Sequence, residues 1–228
     1  SGFRFLPAGR ILAGAGTGRS VTLFNCFVMG TLPDSLAGIF DGLKEAALTM
    51  QQGGGIGHDF STLRPKGAPV RGVGADASGP LSFMDVWDSM CRTIMSAGAR
   101  RGAMMGTLRC DHPDIEAFVD AKRDPAVLRH FNVSVLVSDA FMAAVAKDGS
   151  WPLVFPLHDG ETADGEVIQR RWSGTDAPVP CRVLRTVKAR ELWQRILRAA
   201  YDTAEPGVLF ADTINRDNTL GSLEHLTA

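Results

Sequence analysis

SVTLFNCFVMGTLPDSLAGIFDGLKEAALTMQQ, residues 20–52, reads as a strand followed by a helix, the alternation that decides the fold class. Residues 20–28 concentrate β-branched and aromatic side chains and predict a strand. Pro33 and the pair Asp34-Ser35 then supply a break and a cap. Leu36, Ile39, Phe40, Leu43, Ala46, Ala47 and Met50 recur at three-and-four spacing, which predicts a helix ending near Gln52. The same order returns in FNVSVLVSDAFMAAVAK, residues 131–147, where 131–137 read as a strand and Ser138 caps a helix through Lys147. Between the two units, Leu81, Met84, Trp87, Met90, Cys91, Ile94 and Met95 stripe a helix over 81–97, followed by a short strand. Asp111-His112-Pro113 opens a further helix, with proline near its first position. Residues 152–156 read as an edge strand, 188–203 as a helix and 207–211 as a strand. Residues 53–78 read as irregular. Residues 159–185 are polar and weakly patterned, as an insertion would be. Strands alternating with helices imply a parallel α/β fold, in which ligands gather on loops at the carboxyl ends of the strands.

The totals narrow the function. The chain has 228 residues, 24 basic against 25 acidic, so no bulk charge advertises nucleic acid. One tyrosine and four tryptophans make a stacking platform for single strands unattractive. No run of 18 apolar residues exists to span a membrane, and SGFRFLPAGR lacks the apolar core of a signal peptide. Cys26, Cys91, Cys110 and Cys181 form no C-x-x-C pair and read as reduced cytosolic thiols, which implies a cytoplasmic protein. The five histidines are scattered, and no metal site is expected. Both ends are abrupt, as in a fragment.

GGGIGHDFSTLRPKGAPVRG, residues 53–72, invites a phosphate-binding reading but fails its standard tests. Counting from Gly53, the sixth position of G-x-G-x-x-G is His58, and no Gly-Lys-Ser/Thr follows. Two loops of one kind remain. The first carries Arg64, Lys66 and Arg71 among glycines and prolines; the second carries Arg100 and Arg101 between Gly98 and Gly102. Glycine lets backbone N–H groups converge on an anion, and arginine grips phosphate oxygens in pairs. Asp34 offers a carboxylate to a sugar hydroxyl. On composition alone a nucleotide site and two solvated surface loops both remain open.

A specific set of motifs goes further. NCFV (25–28), GGGIGHDFSTLRPKGAPV (53–70), ASGPLSFM (77–84), ARRGAMM (99–105), HPDIEAFVDAK (112–122) and NVSVLVSDAFM (132–142) follow in this order. Together with FLPAGRILAGAG (5–16) they resemble the large catalytic subunit of ribonucleotide reductases, above all the adenosylcobalamin-dependent class II. The resemblance implies a ten-stranded α/β barrel of two five-stranded halves, of which residues 1–228 would be the first half with its flanking helices. It implies replacement of a ribose 2′-hydroxyl by hydrogen through a thiyl radical, with two further cysteines oxidised to a disulfide. Cys26 then matches the reducing cysteine of the first barrel strand, where a thiol facing the sugar donates and later pairs. Asn25, where the family often carries serine, stands near the substrate ribose, and Gly54, Gly55 and Gly57 match backbone that approaches the substrate. Asp34, Gln51, Arg64 and Arg71 match effector contacts for a deoxynucleoside triphosphate with Mg²⁺, and Arg100 matches the arginine of the loop between effector and substrate.

By the same resemblance Cys91, Cys110 and Cys181 match no catalytic cysteine. The finger-loop motif asparagine–proline–cysteine–glycine–glutamate is absent, and INRDNTLGSLEHLTA (214–228) resembles the segment leading into it. The expected partners are a ribonucleotide, a deoxynucleotide effector, the other half of the barrel and a second copy of the chain. The expected activity of this stretch by itself is none. A nucleotide-binding module derived from a reductase and a class I-type fragment are the alternatives.

Overall fold

The computed structural model describes residues 2, 4–70, 74–94, 103–158, 160–162, 164–221, 223, 225 and 226. After helix α1 (Gly9–Gly14) the chain alternates strand and helix: β1 (Cys26–Thr31), α2 (Leu36–Gln51) and β2 (Gly55–Asp59). A small antiparallel pair, β3 (Pro69–Val70) and β4 (Ala75–Asp76), precedes α3 (Pro80–Thr93). Then come β5 (Met104–Arg109), α4 (Ile115–Asp120) with a 3-10 turn (Ala121–Arg123), β6 (Phe131–Val137) and α5 (Asp139–Ala146). Strands β7 (Ser150–Pro156), β8 (Val167–Arg171) and β9 (Pro178–Lys188) lead to α6 (Ala189–Thr203), β10 (Gly207–Phe210) and α7 (Ala211–Arg216).

Five strands form one wholly parallel sheet in the order β1-β2-β5-β6-β10. The order never reverses. Right-handed crossovers that always step in one direction place their helices on one face, and the core agrees. Ile39, Ala46 and Met50 of α2, Met84 and Trp87 of α3, Phe118 of α4 and Ile196 of α6 share one apolar cluster with Ile56, Met104 and Val133 of the sheet. The other face has no helix layer among the described residues, and Val28 there is 58% exposed. This is an arc of a barrel, as expected for the fold class.

Local chemistry explains the helix starts. Ser35 accepts from the Gly38 amide at 3.2 Å and Ser138 from the Phe141 amide at 3.1 Å, each filling a vacant bond of a first turn. Three expectations change. The first strand covers 26–31 rather than 20–28, because its partner ladder begins only where Cys26 meets Gly55. Residues 55–59, read as irregular, are a strand buried along its whole length. Residues 159–185 are no patternless insertion: β8 and most of β9 lie there. They join β7 in a three-stranded antiparallel sheet of order β7-β9-β8 with its own core of Val154, Phe155, Trp172 and Cys181.

That second sheet sits over the carboxyl end of the parallel one. The Val154 amide donates to the Asp111 carbonyl at 2.7 Å and the Trp151 indole N–H to the Cys110 carbonyl at 3.0 Å. The Arg109 guanidinium lies 4.6 Å from the centre of the Trp172 ring, a stacking contact that holds roof to sheet.

Candidate functional site

Paired residues of parallel strands send their side chains to the same face. Cys26 pairs with Gly55 and Val28 with Gly57, so the thiol shares the uncovered face with two glycines. The Gly55 amide donates to the Asn25 carbonyl at 2.8 Å. A Cβ on Gly55 would stand 3.3 Å from the Ala103 carbonyl oxygen and 3.6 Å from Cys26 Sγ; one on Gly54 would run 2.7 Å from the Phe27 ring. Gly53, at φ +89°, makes the turn out of α2 that only glycine makes without strain. Asn25, Cys26, Gly54 and Gly55 therefore converge on a strip of bare main chain. Gly57 lies two residues further along the same face. Its row continues through Met105 to Asn132, an exposed polar residue that sequence reasoning missed and only the strand register reveals. The cluster occupies the amino end of the sheet, contrary to the expectation that ligands gather at carboxyl ends.

The four thiols divide sharply. Cys26 is exposed, whereas Cys91, Cys110 and Cys181 are buried. Burial, helped by Asp88, pushes Cys91 up to about 11. Burial, helped by Asp111, pushes Cys110 up to about 12 and Cys181 up to about 11. A thiol reacts as its thiolate, so these three are packing groups at neutral pH.

A second cluster lies at the carboxyl ends of β1 and β2. Arg64 Nε donates to Asp34 Oδ2 at 2.9 Å and its backbone amide to Oδ1 at 3.1 Å. Arg64 Nη1 donates to the Pro69 carbonyl at 3.1 Å. His158, from the loop after β7, brings Nε2 to 3.6 Å from Asp34 Oδ2. The segment from Arg64 to Pro69 is anchored elsewhere too. The Lys66 amide donates to Asp114 Oδ2 at 2.9 Å, and His112 Nε2 donates to the Leu63 carbonyl at 3.0 Å, its ring held neutral by burial. Asp34 and Arg64 thus meet, each the other's partner, and this loop is no solvated surface feature. Gln51 does not join them. It ends α2, and the sixteen residues of that helix separate it from Asp34 by about 24 Å. Arg71 and Arg100, with Arg101, lie outside the described residues.

Beneath the roof sits a buried charged group. Arg109 holds Asp111 through two bonds of 2.8 Å, and Arg170 Nε stands 3.7 Å from the same carboxylate. Asp59 is fully buried. Burial raises its carboxyl above the ordinary range, against the pull of Ser173, Ser61 and Arg109. Its neighbour His58 is driven the other way, down to about 4, by burial. Among the described residues no group of three metal-ligating side chains converges, and no helix is long and apolar enough to cross a membrane.

Comparison with known proteins matches residues 24–227 to the ribonucleotide reductase barrel domain. A vitamin B12-dependent ribonucleoside-diphosphate reductase of Mycobacterium tuberculosis (strain CDC 1551 / Oshkosh) is 40% identical over 215 residues, 94% of this chain and 28% of that protein. One from Thermoplasma acidophilum is 38% identical over 219 residues, 96% of this chain and 25% of that protein. The ribonucleoside-diphosphate reductase subunit alpha of Helicobacter pylori (strain J99) is 30% identical over 224 residues, covering 96% and 28%. The chain spans about a quarter of the length of these curated relatives.

Proposed function

Because the chain belongs to the ribonucleotide reductase family, through its barrel domain, we propose that it supplies the reducing thiol and the effector site of an enzyme that converts ribonucleoside diphosphates to deoxyribonucleoside diphosphates. The observation that carries this reading is Cys26: alone exposed among four cysteines, on an uncovered sheet face, beside the side-chain-free main chain of Gly54 and Gly55. In the reaction the ribose 2′-carbon loses its hydroxyl as water and gains hydrogen. The two electrons come from Cys26 and a second thiol, which lose two hydrogens and join as a disulfide. None of the other three cysteines is placed for that role, so the second thiol belongs to a segment beyond this chain's described residues.

Asn25 and the backbone of Gly54 and Gly55 would border the sugar, with Gly57 extending the floor. Asp34 keeps lone pairs beyond its bonds to Arg64 and can accept from an effector sugar hydroxyl. Arg64 keeps two N–H donors for its phosphates. Arg71 and Arg100 belong to the same reading as effector contacts. Gln51 can reach an effector only from a second copy, and the exposed Leu36, Phe40 and Leu48 of α2 offer a face for one.

The relatives' names bring in vitamin B12, and adenosylcobalamin is the corresponding cofactor of the whole enzyme. A cavity lined by Arg64 and Arg185 and another lined by Arg109 and His225 lie at the carboxyl end of the sheet, away from Cys26. Neither of these cavities, as its described residues line it, seats a corrin beside Cys26.

Protection of Cys26 tests the reading. Iodoacetamide at neutral pH should label Cys26 and spare the other three cysteines, and millimolar ADP or CDP should slow that labelling. Labelling at an unchanged rate with every ribonucleoside diphosphate would remove the substrate face from this chain.

A further inference from the structure

Between the end of β5, the antiparallel roof and the start of α5 lies a cavity of about 180 Å³. That is below the roughly 300 Å³ at which pockets for drug-sized ligands begin, so it excludes a nucleotide and admits a small ion. Three cations line it, Arg109, Arg170 and Arg171, against two carboxylates, Asp111 and Asp212. Arg109 and Asp111 cancel, because the guanidinium holds both carboxylate oxygens. Asp212 is engaged by the Asp139 amide at 2.7 Å. Arg171 has no carboxylate partner among the described residues, and Arg170 has none nearer than Asp111 Oδ2, 3.7 Å from its Nε. Positive charge is in surplus.

Residues of the same wall carry donors that lack an acceptor. Trp172 lines the cavity, is 4% exposed, and its buried indole N–H has no partner. Arg170 Nε is buried and makes no hydrogen bond either. In the first turn of α5 the Asp139 amide goes to Asp212 and the Phe141 amide to Ser138. The Ala140 amide between them has no acceptor among the described residues, and Ala140 lines the cavity. A buried donor left without an acceptor is costly, and the start of a helix favours negative charge. Indole, guanidinium and helix-start amide thus border one small space, and each wants an acceptor.

We infer that this cavity binds a small tetrahedral oxyanion with the chemistry of inorganic phosphate or sulfate, held by Arg170, Arg171 and Trp172 of the roof and by the Ala140 amide. A tetrahedral ion offers acceptors in four directions, which suits donors that come from the roof on one side and from α5 on the other. A planar carboxylate offers them in one plane. His225 lines the same cavity and brings a further donor from the far end of the chain. The bound ion joins roof, α5 and this last segment, so it acts as a staple between parts that are distant in sequence. Neither Cys26 nor Asp34 lines the cavity, and the inference is independent of the reductase reading.

NMR titration of the isotope-labelled full chain with inorganic phosphate, sulfate and acetate tests this, at constant ionic strength in a chloride background. The four tryptophans each give one indole N–H resonance, and through-space contacts to Arg109 identify that of Trp172. It should move downfield and saturate with phosphate and with sulfate, and stay in place with acetate. Arg170→Gln should weaken phosphate by about tenfold or more. Phosphate should also raise the melting temperature of the parent and leave that of the variant unchanged. Should Arg170→Gln melt below the parent in chloride, Arg171→Gln takes its place with the same expected loss, since Arg171 is exposed. An indole resonance unmoved by phosphate and sulfate at tens of millimolar would overturn the inference. So would saturation by acetate at the same concentrations, or an unchanged phosphate affinity in the variant that folds.

Discussion

The two ends of the parallel sheet are built by opposite means. At the amino end, Cys26 lies in the open beside glycines, and its surroundings are main chain. At the carboxyl end, Asp111 is 1% exposed, clasped by Arg109 and approached by Arg170, beneath a roof that stacks Trp172 on Arg109. On the proposed reading, one end gives up packing to admit a reacting group; the other uses charge and aromatic contact to fix a shape. Chemistry that moves electrons needs access for a ligand and for a second thiol, whereas a regulatory ligand needs donors whose positions are set beforehand.

Substitutions at the two ends should separate function from stability. Cys26→Ser should drop ribonucleotide reduction by the complete enzyme to background. Because the side chain is exposed, denaturant midpoints should stay within about 0.5 kcal/mol of the parent. Retained turnover would break the contrast at its strongest point. Asp111→Ala should do the reverse. It leaves Arg109 buried without its partner, and chemical denaturation should show a loss of about 3–5 kcal/mol, whereas a loss below about 1 kcal/mol would mean that water already reaches the pair.

A smaller effect sharpens the picture inside the sheet itself. His58 is buried against Trp87 and Phe60, with ring centres 5.8 and 6.1 Å away, and it titrates near 4 in the fold against 6.5 when unfolded. Between those values the unfolded chain binds the extra proton. Stability should therefore fall as pH drops from about 6.5 to 4, by at most about 3 kcal/mol. Asp59 acts with opposite sign, since its carboxyl is raised in the fold and its contribution is lost as pH rises. Urea melts of His58→Gln across this range isolate the histidine: the variant should lack that part of the slope, and an identical slope would show that His58 takes up no extra proton on unfolding.

How much of this was legible in the sequence depended on whether the signal was local. Helix α2 and helix α5 were readable because a serine cap and a stripe at helical spacing lie within a few residues of each other. Strand β2 was not, because it reads Gly-Ile-Gly-His-Asp and every one of its residues is buried. Side chains that are all buried leave no apolar–polar alternation to read. Strand β9 was hidden by Pro178 and Pro180, which argue against a central strand. Pro180 is tolerated because its carbonyl still accepts, from the Leu157 amide at 2.9 Å. The resemblance singled out Cys26, Asp34 and Arg64. It offered no hint of His158 or Arg185, which reach the same place only because the antiparallel sheet folds back over the loop.

The unreversed strand order has a consequence for how the chain is made. Each of β2, β5 and β6 pairs with the previous strand of the parallel sheet, so the sheet can grow from one edge as the polypeptide leaves the ribosome, without waiting for distant segments. The exception is β10, which docks on β6 only after α5, the antiparallel sheet and α6 have been synthesised. Those intervening strands close on one another and carry a core of their own, so nascent β6 waits for its neighbour behind a unit equipped to assemble in the meantime.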